Sequence, residues 1–260
     1  MMKCLAVIFL WVSFQTVSFA AVVTQAVEYK DGETLLEGYL AYDDAIEGKR
    51  PGIIVVHEWK GLNDYAKGRA DELAELGYVA FAVDMYGKGI YAKDHEEAGK
   101  LSGVYRSDRN LMRQRAKAAF DILKNNPHVD PQNTAAIGYC FGGTTVLEMA
   151  RAGFDLKGVV SFHGSLDAPL PAAPGVIKAK VLVMHGADDN FVGNEKVLVF
   201  QEEMRKAGAD WQLVMFGDAV HSFTVPEAGS DKSKGAAYNA LADKRSWGMM
   251  KQFFSELFSS

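Results

Sequence analysis

The chain has 260 residues, 48% of them hydrophobic and 23% charged, which is enough apolar material for one sizeable globular core. A formal net charge of −5 leaves no basic footprint for nucleic acid and no polybasic patch for a membrane surface. With only two cysteines, Cys4 and Cys140, a disulfide framework is excluded as the source of stability.

In chain order, residues 1–21 read first as an export signal. Lys3 supplies a positive start, Leu5 to Val12 forms a short apolar run, and Ser18, Ala20 and Ala21 offer small residues for cleavage. The run is too short, and lacks the flanks, for a membrane anchor. The expected product is exported, periplasmic or secreted, with one domain over residues 22–260, no membrane insertion and Cys140 as its lone thiol.

Two extended segments follow, Val22 to Tyr29 and Leu35 to Tyr42, split by Asp31-Gly32-Glu33 as in an antiparallel hairpin. From Pro51 the pattern becomes strand, loop, helix, repeated. Gly52 to His57 is apolar on both faces, as a buried parallel strand requires. Further strands are expected at Tyr78 to Val83, Thr134 to Gly138, Lys157 to Phe162, Lys180 to His185 and Trp211 to Phe216. Helices are expected from about Asn63 to Leu76, across His95 to Asn125, from Cys140 to Ala152, from Glu195 to Ala207 and from Ser233 to Leu257. This alternation predicts an α/β fold: a mostly parallel central sheet flanked by helices, with the hairpin at its start.

The strongest chemical signal is Gly138-Tyr139-Cys140-Phe141-Gly142-Gly143, between an apolar strand and a helix. A nucleophile on so sharp a turn needs small neighbours, and Gly138 and Gly142 supply them. The pattern is that of a nucleophile elbow with Cys in the place of Ser. The next helix directs its positive end at the sulfur. A nucleophile also needs a base and an orienting acid. Two later strands end in Gly186-Ala187-Asp188-Asp189-Asn190 and in Gly217-Asp218-Ala219-Val220-His221-Ser222-Phe223. Both loops belong at the sheet edge that carries Cys140, where open α/β sheets place their sites. Either aspartate could serve as the acid. Trp59 and Phe141 are placed to offer backbone N–H groups as an oxyanion hole. His57, His163 and His185 lie at strand ends without a shared ligand spacing, so they read as structural or pocket-wall residues; neither metal nor cofactor is expected. Arg106, Arg109, Arg113 and Arg115 read as a solvated helix face.

The chain resembles the dienelactone hydrolase family over most of its mature length. The resemblance rests on Val56-His57-Glu58 with Gly61, on Val83-Asp84-Met85-Tyr86-Gly87, on GYCFGG at 138–143, on GADDNFV at 186–192 and on HSF at 221–223. It implies the α/β-hydrolase fold and selects Asp189 as the acid, completing Cys140, Asp189 and His221. It also implies that Glu58 holds the thiol neutral at rest and swings away when substrate binds. Members that act on dienelactone hold its carboxylate with two arginines, at positions matched here by His95 and Val225. Without those guanidinium groups, bidentate carboxylate recognition is lost, and an apolar Val225 suits an uncharged substrate.

The expected activity is therefore hydrolysis of neutral activated esters or lactones through a covalent thio-enzyme, by a monomer or homodimer. Metal-independent attack on neutral phosphotriesters by the same groups is the first alternative. A non-enzymatic binding protein on a hydrolase shell is the second, and a thiol redox sensor the weakest, since no resolving cysteine remains.

Overall fold

A computed structural model describes residues 22–259; the export-signal reading falls on residues outside that span. Strands β1 (Val22–Asp31) and β2 (Thr34–Asp43) form the hairpin, closed by a two-residue turn in which Gly32 takes φ +56°. The chain then runs through β3 (Arg50–Val56), α1 (Asp64–Glu75), β4 (Val79–Val83), α2 (His95–Ser107), α3 (Arg109–Lys124), β5 (Val129–Tyr139) and α4 (Phe141–Arg151). It ends with β6 (Gly158–Phe162), β7 (Lys180–Gly186), α5 (Asn194–Ala207), β8 (Trp211–Phe216) and α6 (Ala240–Phe258).

The strands form one sheet in the order β1-β2-β4-β3-β5-β6-β7-β8. Strands β3 to β8 are mutually parallel, and the hairpin joins through antiparallel pairing of Tyr39 with Ala82. After β3 the chain pairs β4 on one side and then crosses back to lay β5 on the other. The carboxyl ends of β3 and β5 thus flank the point where the winding reverses, the usual crevice of such sheets. Glu58 and Cys140 follow those two strands directly.

Two apolar layers sandwich the sheet. On one face Ile53, Val55, Ile137 and Leu182 pack against Leu73 of α1 and Met250, Phe253 and Phe254 of α6. On the other, Ile54, Phe81 and Val159 meet Met112 and Phe120 of α3, Val146 of α4 and Phe200 of α5. Because β3 feeds both layers, all four residues of Ile53-Ile54-Val55-Val56 are buried, as the unbroken apolar run requires.

Three expectations are corrected. The helical region from residue 95 to 125 is two helices, because the Asp108 side chain accepts from Leu111 N–H and starts a new helix there. The last helix begins at Ala240, not Ser233, capped by Asn239; the segment before it makes two short 3-10 turns and supplies Gly235 and Ala236 to the strand-like pairing of His221. Arg106 on α2 is exposed as expected, but the three arginines of α3 do not form a solvated face. Arg109 and Arg115 are buried, Arg115 bonds Asp31, Arg109 bonds Asp167, and Arg113 and Arg151 converge on the fully buried Glu148. These guanidinium groups tie α3 and α4 to distant segments. Among the described residues, no helix is long and apolar enough to cross a membrane.

Candidate active site

Cys140 sits between β5 and α4 at φ +52°, ψ −110°, a strained conformation for a residue with a side chain. Its neighbours explain how the turn closes. A Cβ on Gly138 would lie 2.1 Å from the Gly142 carbonyl oxygen, and one on Gly142 would lie 2.1 Å from that of Val56. Gly143 is equally constrained: its Cβ would come within 2.8 Å of Gly164 and Ser161. Four non-glycine residues among those described have positive φ, and three of them, Cys140, His163 and Ser222, gather at this one place.

The three loop tips converge. His221 Nε2 lies 3.1 Å from Cys140 Sγ, and His221 Nδ1 lies 2.8 Å from Asp189 Oδ2. Since a carboxylate only accepts, Nδ1 carries a proton and Nε2 faces the sulfur. Asp189 is buried and is fixed further by the N–H groups of Phe191 and Val192 on its other oxygen; Asp188 is exposed and takes no part. Burial opposes charging of the His221 ring, yet the neighbouring Cys140 charge and the Asp189 hydrogen bond outweigh it, raising the pKa to about 10. Burial likewise pushes Asp189 upward, but its bond to His221 and that ring's charge bring it below the usual carboxylate range.

His163 forms the floor. Its Nδ1 accepts from Cys140 N–H at 3.2 Å, so Nε2–H donates to Thr224 Oγ1 at 2.8 Å. Burial first, and the His221 charge second, hold its pKa well below normal, so an uncharged ring stands beside the imidazole of His221. His185 bonds the Val192 carbonyl, and His57 bonds backbone groups alone.

Glu58 is placed beside the pair but is engaged differently from the resting role that the resemblance implies. Its carboxylate accepts from Ser222 Oγ at 3.3 Å while the thiol is turned to His221. Burial raises its pKa, against the lowering effects of His221 and Ser222. Ser222 escaped the sequence reading; its position directly after His221 in HSF was the available signal. The backbone N–H groups of Trp59 and Phe141 make no hydrogen bond to any described residue, so both stay free for an incoming acceptor. His95 packs its ring on Trp59 with centroids 5.2 Å apart, and Val225 is buried three residues past Ser222, whose carbonyl it bonds. Phe191 stands edge-on to the His221 ring at 5.5 Å and is 55% exposed, an apolar wall that sequence alone did not single out.

The arrangement can pass a proton between sulfur and imidazole, stabilise the resulting imidazolium through Asp189, and offer two free donors to a developing oxyanion.

Comparison with known proteins identifies the family. A dienelactone hydrolase-like promiscuous phosphotriesterase from metagenomic libraries is 44% identical with a TM-score of 0.84, the likeness covering 91% of this chain and 99% of that one. The structure named m3DLH is 42% identical with a TM-score of 0.87, over 92% and 99% of the two chains. Protein usf of Aquifex pyrophilus is 28% identical over 241 residues, 89% of this chain and 98% of its own. The sequence profile of the dienelactone hydrolase family matches residues 36–258. The chain belongs to the dienelactone hydrolase family of lactone and ester hydrolases, built on the α/β-hydrolase fold.

Proposed function

We propose that this protein hydrolyses neutral activated esters or lactones through an acyl-thioenzyme formed on Cys140. The observation that carries the reading is the single imidazole of His221 bridging the sulfur and the Asp189 carboxylate. Sulfur, as thiolate, attacks the carbonyl carbon, and the oxygen that gains the negative charge is received by the N–H groups of Trp59 and Phe141. His221 then gives its Nε2 proton to the departing alkoxide, leaving a thioester. A water molecule, losing its proton to the same nitrogen, attacks that thioester; collapse releases the acid and restores the thiolate–imidazolium pair.

Glu58 is assigned the part of a swinging acid that receives the thiol when the pocket is empty. Its bond to Ser222 is compatible with a carboxylate turned away from the thiol. Val225 and His95, standing where carboxylate-binding arginines would be needed, favour substrates without a negative charge. The signal-like pattern of residues 1–21 supports export of the enzyme.

A panel of neutral and anionic aryl esters, assayed with the parent protein, Cys140→Ala and Cys140→Ser, tests the reading. Neutral esters turned over by the parent alone support it. Undiminished turnover by Cys140→Ala removes the mechanism. A second reading has one specific support, the similarity to a promiscuous phosphotriesterase. In a neutral phosphotriester the P=O oxygen takes the place of the carbonyl, and the same thiolate and donors suffice. An uncharged aryl phosphotriester belongs in the same panel.

A further inference from the structure

We infer that His57 and Tyr86 are positioning residues which aim the Trp59 N–H at the reacting oxygen; this rests on the acyl-thioenzyme reading above. Three consecutive carbonyl groups after β3 are each hydrogen-bonded. The Glu58 carbonyl accepts from Nδ1 of His57 and, at 3.4 Å, from Gly61 N–H; the Trp59 carbonyl accepts from the Tyr86 hydroxyl at 2.9 Å, and the Lys60 carbonyl from Ala92 N–H at 2.9 Å. The first of these matters most. The Glu58 carbonyl and the Trp59 N–H belong to the same peptide plane, which is trans, so the two groups point in opposite directions. Fastening the carbonyl to His57 turns the N–H away from the interior, and accepting a hydrogen bond at the oxygen polarises the N–H as a donor.

His57 can do this in only one form. Its Nε2 faces the Met85 N–H at 3.2 Å, which can only donate, while Nδ1 faces a carbonyl, which can only accept. The ring is therefore neutral with its proton on Nδ1. It is wholly buried, stacks 5.9 Å from Phe141, the residue that supplies the second free N–H, and meets Tyr86 edge-on at 4.9 Å. One aromatic cluster thus braces both donors. No solvated alternative exists for this imidazole; its two polar atoms are spent on the loops that follow β3 and β4.

The test separates attack at a carbonyl from reactivity of the sulfur. Acylation by p-nitrophenyl acetate needs an oxyanion site, whereas alkylation of Cys140 by iodoacetamide displaces iodide and develops no such charge. His57→Phe keeps the ring and removes both hydrogen bonds; Tyr86→Phe removes one oxygen and folds as a fallback. We expect single-turnover acylation to fall about 30-fold in His57→Phe and about fivefold in Tyr86→Phe, less than the roughly 10²–10³-fold lost when an oxyanion donor is removed outright. Alkylation should stay within about twofold of the parent in both. His57→Gln, which restores one donor and one acceptor, should recover acylation to within about fivefold. Acylation unchanged in both Phe variants overturns the inference, and so does a parallel fall in acylation and alkylation, which marks a merely structural role. Failure of the underlying reading shows separately, as a parent protein that forms no adduct at Cys140 with the ester.

Discussion

Gly142 approaches Val56 so closely that a Cβ on the glycine would stand 2.1 Å from the valine carbonyl oxygen. The N-terminus of α4 therefore leans directly on the end of β3. That contact brings Phe141 and the loop carrying Trp59 to the same side of the sulfur. Because the obstacle is backbone on a central strand, it cannot yield as a side chain would. Gly142→Ala is expected to destabilise the fold by about 3–5 kcal/mol, or to prevent its formation. Urea unfolding measures this, and a loss below about 1 kcal/mol would show that the elbow has room to shift.

The ionic character of the His221 site has a defined pH signature. A raised pKa of about 10 means the folded protein holds the imidazolium more tightly than the unfolded chain, whose histidine titrates near 6.5. The stabilisation is complete below that unfolded value and is lost as pH rises through about 10. In Cys140→Ala the sulfur that contributes to the shift is gone, leaving Asp189 as the remaining support. Urea midpoints compared from pH 6 to 10.5 should therefore fall earlier with rising pH in the variant. Asp189→Asn should lower ester turnover by about 10²–10⁴-fold, because the ring loses the acceptor that fixes its tautomer.

Glu58 has the opposite stability consequence from most carboxylates. Burial raises its pKa, so ionisation is less favourable in the folded state, and the penalty grows as pH rises through the folded value. Glu58→Gln keeps an oxygen for Ser222 without the charge. Its melting temperature should exceed the parent's by about 1–3 °C at pH 8, with the gain disappearing at pH 4, where the parent carboxyl is itself protonated. An equal gain at both values would refute the electrostatic explanation.

On the proposed reading, Val225 sets charge preference. Placing a guanidinium there, in Val225→Arg, should raise kcat/KM for carboxylate-bearing lactones relative to neutral esters by about tenfold, corresponding to one charge-assisted hydrogen-bond pair. An unchanged ratio would mean that this side chain does not face the substrate.

Much of this was legible in the sequence because the relevant signals are local. The unbroken run Ile53 to Val56 announces a strand buried on both faces, and the glycines around Cys140 announce a turn that no larger residue could make. Chain order and strand-end position were enough to bring Cys140, His221 and one of Asp188 and Asp189 together, and the family resemblance selected Asp189. What escaped depended on partners far away in the chain. Nothing near Arg109, Arg113 or Arg151 indicates that Glu148, inside an apolar helix, gathers them, so a basic stripe passed for a solvated face. The start of α6 lies beyond Ser233 because residues 235–237 are drawn into pairing with His221, a partner that local composition does not reveal. His57 looked like an idle strand-end histidine, since its tautomer is set by Met85, 28 residues on.

The most direct measurement is the intact mass of the protein quenched within milliseconds of mixing with p-nitrophenyl acetate. A transient gain of one acetyl group, mapped to Cys140 and absent from Cys140→Ala along with turnover, is the predicted result. Full turnover with no acetyl adduct on the sulfur, or equal turnover in Cys140→Ala, would contradict a covalent thio-enzyme.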